Sequence, residues 1–240
     1  MLKVSNLSKT FAVDNQQIAA LKEVDFEVKD SEFLTLIGPS GCGKSTLLRI
    51  LAGLEKPTSG KIDWDQPPKL SFVFQSFALF PYLTVSENIG FGLQMSGVKK
   101  TELDRQVKEL IKEVELDGFE EKHPKELSGG MRQRVGIARA LAIEPNVLLL
   151  DEPFSALDEF TAETLRALLL DIWQKRQMTV IMVTHLIREA LELADKIAVL
   201  TPQPGTVREV MDNKLDRPRN MRTKEFFKME DRLRGLIKLQ

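Results

Sequence analysis

The chain has 240 residues, 42% hydrophobic and 29% charged, which fits one or two compact units at about 150 residues each and allows a full core. Its 34 basic and 35 acidic residues are interspersed and leave a net charge of −1, so no electrostatic footprint for nucleic acid is present. A single cysteine, Cys42, excludes an intramolecular disulfide, and with no signal peptide and no apolar run of about 20 residues a cytosolic location is expected.

Residues Lys3 to Val28 read as strands, because Val24, Phe26 and Val28 alternate with Asp25, Glu27 and Lys29. The polar stretch Ser8-Lys9-Thr10-Phe11-Ala12 within it is expected to be a loop. Phe33–Ile37 is an apolar strand that breaks into Gly38-Pro39-Ser40-Gly41-Cys42-Gly43-Lys44-Ser45-Thr46 and then a helix from about Ser45. Strand, glycine-rich turn and helix in that order form a phosphate cradle. Glycines let backbone N–H groups face a polyphosphate, Lys44 supplies a point charge, Ser45 offers a hydroxyl to Mg²⁺, and the helix dipole favours the anion. With a nucleotide in the cradle, the Phe11 ring is suited to lie against a purine; a Phe that only anchors a hairpin fits the local sequence as well.

Leu70–Phe74 reads as a buried strand that ends at Gln75, where an amide carbonyl is placed for Mg²⁺ or an attacking water, or is merely a surface amide. Thr84-Val85-Ser86-Glu87 fits a capping box, and after a second cap at Thr101 the residues Leu103, Val107, Leu110, Ile111 and Val114 share a helical face. These helices are expected to form an insert over 86–142. Its last helix opens at Leu127-Ser128-Gly129-Gly130-Met131, where Ser128 can cap and the glycines expose N–H groups; such a start is a second anion site or an ordinary turn.

Val147–Leu150 is continuously apolar, as in a parallel strand covered on both faces, and ends in Asp151-Glu152-Pro153. Downstream of a phosphate cradle, Asp151 is placed to hold Mg²⁺ and Glu152 to deprotonate an attacking water. Asp158 follows on the next loop, and a helix over Ala162–Lys175 leads to the strand Thr179–Val183 and to His185, a γ-phosphate contact or a structural hydrogen-bonder. The tail from Thr223 reads as an amphipathic helix with Phe226, Phe227, Leu233, Leu236 and Ile237 as its apolar contacts. Asn213-Lys214-Leu215-Asp216 imitates a guanine-reading motif, but it lacks the preceding apolar strand and the switch sequence such a site needs.

Taken together, Gly38–Thr46, Gln75, Leu127–Gln133, Val147–Pro153, Ser155–Asp158 and His185 resemble, in order and spacing, an ABC-type ATPase cassette over nearly the whole chain. The resemblance implies an α/β P-loop NTPase core with a mixed, largely parallel sheet, an N-terminal antiparallel β subdomain and an inserted helical subdomain. It divides the chain into an ATPase domain over 1–205, with core 1–85 and 143–205 around the insert 86–142, and a C-terminal strand and tail over 206–240. It further implies that Phe11 stacks on adenine, that Gln75 and Asp151 serve Mg²⁺, that Glu152 is the general base and that His185 contacts the γ-phosphate. Ser128, Gly129, Gly130 and Asp158 would meet the nucleotide of a second copy. Two helix starts suited to phosphate, separated by a helical insert, are hard to bring to one γ-phosphate within a chain, and a head-to-tail pair around two ATP molecules solves this.

Phe80-Pro81-Tyr82-Leu83-Thr84-Val85, Met131, Thr201–Gly205 and Leu215–Arg219 resemble the importer group for nitrate, sulfonate, taurine and related small anions. That implies a peripheral subunit on the cytoplasmic face of the membrane, paired with itself or a paralogous ATPase. Two transmembrane permease subunits and, indirectly, an extracytoplasmic solute-binding protein would complete the assembly. The alternative is a non-transport ABC ATPase of DNA repair or translation, which usually carries coiled coils or basic arms. Three departures from the family pattern stand out: Met131 follows the two glycines where Gln is commoner, Leu186 follows His185 where an acidic residue is usual, and Phe11 stands where Tyr or Trp is often found, which preserves the stacking face.

Overall fold

The computed structural model describes residues 1–13 and 16–238, so residues 14 and 15 of the expected strand stretch and 239 and 240 of the expected tail lie outside the described residues. In chain order the elements are β1 (Leu2–Val13), β2 (Gln16–Val28), β3 (Phe33–Ile37), α1 (Lys44–Leu51), β4 (Ser59–Trp64), β5 (Leu70–Val73), α2 (Val85–Met95), α3 (Lys100–Glu113), α4 (Gly129–Ala142), β6 (Val147–Asp151), α5 (Glu159–Arg176), β7 (Thr179–Thr184), α6 (Ile187–Leu193), β8 (Lys196–Leu200), β9 (Val207–Asp212) and α7 (Lys224–Lys238). They make two compact units, residues 1–68 with 178–240, and residues 69–177. All of 86–142 lies in the second unit, which also takes β5, β6 and α5.

In the first unit β2, β1 and β4 form an antiparallel sheet in that order. Val24, Phe26 and Val28 are buried and their charged neighbours exposed, as the alternation requires. Ser8–Ala12 is strand, not loop: Lys9 pairs with Leu21, Thr10 with Ala19 and Phe11 with Ile18. The polar residues there mark a wet strand face, and the stretch contains no glycine or proline to break pairing. The second sheet of this unit has β3 between β7 and β8, all parallel, with β9 antiparallel on the far side of β8. Every residue of β3 and β7 is buried, Thr35, Thr179 and Thr184 among otherwise apolar side chains, as in parallel strands covered on both faces.

α7 buries Phe226 and Leu233 but leaves Phe227 49% exposed, which corrects the expectation that both phenylalanines pack. Positions 226, 230 and 233 share one face at helical spacing, so the middle place falls to Glu230, which is buried and paired with Arg234 at 2.9 Å and Arg188 at 3.7 Å.

In the second unit α2, α3 and α4 pack together. Thr84 caps α2 in a full capping box with Glu87. Thr101 does not cap α3: the carbonyl of Lys99 already accepts the first helical bonds, from Glu102 and Leu103, so Thr101 lies inside the first turn. The face of Val107, Leu110, Ile111 and Val114 is buried as expected. β5 pairs with β6 in parallel. It stops at Val73 and buries only alternate residues, Ser71 and Val73, in place of the fully buried run expected to Phe74. Ser71 is accommodated because its hydroxyl donates to the carbonyl of Ala140 at 2.6 Å. α5 starts three residues before Ala162 because Asp158 caps it.

Candidate functional site

Two clusters of site residues form at strand ends, one in each unit. In the first, Ile37 of β3 is the register partner of Thr184 of β7 in a parallel pair, so Gly38 and His185 leave neighbouring strands side by side. Loops at the carboxyl ends of parallel strands are where α/β sheets bind ligands. Gly41 and Gly43 have φ of 78° and 95°, a left-handed conformation that costs glycine little. At Gly43 there is also no space, since an added Cβ would lie 2.7 Å from the carbonyl oxygen of Ala20. Lys44 is buried and its ammonium donates to the carbonyls of Gly38 at 2.8 Å and Pro39 at 2.9 Å. The charge is thus held inside the loop by neutral dipoles. No side chain caps α1, as none caps α3 or α6, and its positive end is turned to the glycine loop. Burial pushes the Cys42 thiol up against the opposing pull of Lys44, so it sits in the loop as a neutral packing group. The loop therefore suits a polyanion, and its serine hydroxyl and amides offer hard oxygen and N–H groups.

The turn Thr201–Gly205 braces this loop, a role that the linear sequence does not show. Gly205 exchanges hydrogen bonds with Ala20 and Lys22, and a Cβ on it would come within 2.0 Å of the Cys42 carbonyl oxygen.

In the second cluster Val73 of β5 is level with Leu150 of β6, so Gln75 and Glu152 follow their strands at matching positions. Ser155 links them: it accepts from the Gln75 amide at 3.3 Å and donates to the Glu152 carbonyl at 3.0 Å. Asp151 is buried, and Glu152 has φ 45°, a strained backbone for a non-glycine residue at the strand end. After Gln75, Phe77 and Ala78 also have positive φ, and Arg139 of α4 holds their carbonyls at 3.2 and 2.8 Å. Burial lowers the pKa of that guanidinium below its ordinary value. The loop bearing Gln75 is in this way tied to the helix that begins after Ser128.

Ser128 caps α4 by accepting from the Met131 N–H at 3.3 Å, and Asp158 caps α5 by accepting from the Thr161 N–H at 3.0 Å and its hydroxyl at 2.6 Å. Those hydrogen bonds hold the Asp158 carboxyl below its ordinary pKa. The two helix starts meet, for a Cβ on Gly130 would fall 2.4 Å from Cγ2 of Thr161, and one on Gly129 would lie 3.4 Å from Leu157. Thr161 cannot turn away without losing Asp158. Gly130→Ala is therefore expected to destabilise the protein by about 1–3 kcal/mol, read as a lower midpoint in urea unfolding.

Phe11 is half-buried on β1, and the Lys9 ammonium, paired with Glu55 at 2.6 Å, lies 4.7 Å from its ring centroid. A stacked base would take the opposite face. Among the described residues no helix is long and apolar enough to cross a membrane.

The model of the ABC transporter family matches residues 21–155. The aliphatic sulfonates import ATP-binding protein of Bacillus cereus is 45% identical, over 94% of this chain and 91% of its own length. The nitrate import ATP-binding protein of Synechocystis is 40% identical, over 99% of this chain and 95% of its own. Among solved structures, a dimeric ATP-binding cassette in a post-hydrolysis state with ADP and phosphate superposes with a TM-score of 0.79 at 35% identity, over 89% of this chain and 99% of its own.

Proposed function

The chain belongs to the ABC transporter ATP-binding family, and from that premise we propose that it hydrolyses ATP to drive import of a small anion through partner membrane subunits. The observation that carries the reading is the strand-end register, which sets the phosphate cradle beside His185 and Gln75 beside Glu152. The sulfonate and nitrate relatives support the choice of a small oxyanion as cargo. A DNA-repair or translation ATPase has no counterpart among them.

In this reading Phe11 stacks on adenine, and the N–H groups from Gly38 to Thr46 and the Lys44 ammonium bind the β- and γ-phosphates. Ser45, Gln75 and Asp151 would each offer an oxygen donor of the kind Mg²⁺ takes, with most of its shell left to water and phosphate. Bound there, Mg²⁺ supplies charge neutralisation on the phosphate oxygens. Glu152 takes a proton from water as its oxygen bonds to the γ-phosphorus and the bridging oxygen departs with ADP. His185 donates to a γ-phosphate oxygen. Ser128, Gly129 and Gly130 of a second copy, with its Asp158, complete the site, so ATP holds two cassettes together and hydrolysis releases them. The pair works beneath two permease subunits on the cytoplasmic face, fed by an extracytoplasmic solute-binding protein. A strain lacking this chain should lose uptake of one among nitrate, taurine and alkanesulfonates; full uptake of all three would remove the importer assignment.

A further inference from the structure

α6 is seven residues long and begins directly after His185 and Leu186. A helix shorter than about 12–15 residues does not hold itself in water, so its position is set by tertiary contacts, here the buried face of Ala190, Leu191 and Leu193 together with what grips its two ends. At the amino end no side chain caps it. Instead the buried carboxylate of Glu189 accepts from the Thr184 hydroxyl, which itself accepts from the Leu186 N–H at 3.1 Å; this closes a loop of bonds around His185.

At the carboxyl end the carbonyls of residues 191 to 194 all receive side-chain donors from one short stretch of chain. Asn213 reaches Leu191 and Ala194 at 2.8 and 3.0 Å, Arg217 reaches Leu193 at 2.6 Å, and Arg219 forks onto Leu191 and Glu192 at 3.0 Å each. α6 has no basic residue in its own last turn, so the two guanidinium groups also supply the charge that its dipole lacks. Arg217 further pairs with Asp195, whose other oxygen accepts from the N–H of Phe33 at the start of β3. The stretch from Asn213 to Arg219, which overlaps the guanine-motif mimic, thus ties α6 to the strand that leads into the phosphate cradle.

We propose that the segment 213–219 is a positioning element for hydrolysis: by gripping the carboxyl end of α6 it fixes His185 against the γ-phosphate. The inference rests on the assignment of His185 made above. Burial pushes Arg219 down to about 10, the desolvation cost of a guanidinium packed against the helix end.

The test is a double-mutant cycle in single-turnover MgATP hydrolysis by the full chain, using Arg219→Ala, His185→Ala and the pair, with ATP affinity measured by calorimetry. Arg219→Ala should slow hydrolysis about 10- to 100-fold, as expected for a misplaced group, with ATP affinity unchanged. On the His185→Ala background it should cause no further loss. Arg219→Lys, which keeps charge but not the planar guanidinium that spans the carbonyls of Leu215, Leu191 and Glu192, should fall between, and it replaces the alanine variant if that fails to fold. Equal losses on both backgrounds, or no loss in either arginine variant, would overturn the inference. Wild-type hydrolysis by His185→Ala would instead overturn the assignment of that histidine, and the inference with it.

Discussion

Glu152→Gln is expected to slow MgATP hydrolysis by about 10²–10⁴-fold, the range for loss of a general base, while ATP binding persists. The substitution keeps shape and hydrogen-bonding capacity at the end of β6 and removes only the ability to take a proton. The backbone argues for a special demand at this residue, since φ 45° is uncommon for glutamate and persists only where surrounding structure imposes it. The imposing contacts are visible: Ser155 bonds the Glu152 carbonyl through both its N–H and its hydroxyl. Steady-state phosphate release compared with equilibrium nucleotide binding separates the two effects. A variant that hydrolyses at the wild-type rate would place the base elsewhere.

Lys44→Ala should act earlier, on binding itself. Hydrogen bonds to a charged group contribute about 1.5–3 kcal/mol, so ATP affinity should fall by about 10- to 100-fold or more. The ammonium now sits among the carbonyls of Gly38 and Pro39, within the loop that would receive the phosphates. Because α1 buries Leu47, Leu48, Ile50 and Leu51, the fold does not depend on this one cation and should survive its removal. Calorimetry with MgATP measures the effect directly, and an unchanged affinity would refute the role of Lys44.

The parts of the site that could be read from sequence are those made by local backbone chemistry. Glycines at positive φ before a lysine, a strand of unbroken aliphatics ending in two carboxylates, and a serine followed by glycines at a helix start each carry their meaning within about ten residues. What could not be read depends on partners far along the chain. Arg139 reaches back 61 residues to Ala78, and Gly205 sits under Cys42. Arg219 takes the carbonyls of Leu191 and Glu192, and nothing in Leu-Asp-Arg-Pro-Arg announces that it caps another helix. Polarity misleads in the same way at Ser8–Ala12, where a wet strand face and a loop have the same composition. Thr101 misleads because capping is decided by which carbonyl accepts the first helical bond, and Lys99 takes that place. The acidic residue usual after the histidine is missing at Leu186, yet a carboxylate is supplied one turn on by Glu189, bonded to Thr184.

ATP is expected to join two copies of this chain through the cradle of one and the Ser128 helix start of the other. Sedimentation of Glu152→Gln in saturating MgATP tests it most directly: the species should carry twice the 27.2 kDa chain mass and return to one chain when nucleotide is removed. A mass of one chain at every nucleotide concentration, in protein that demonstrably binds ATP, would contradict it.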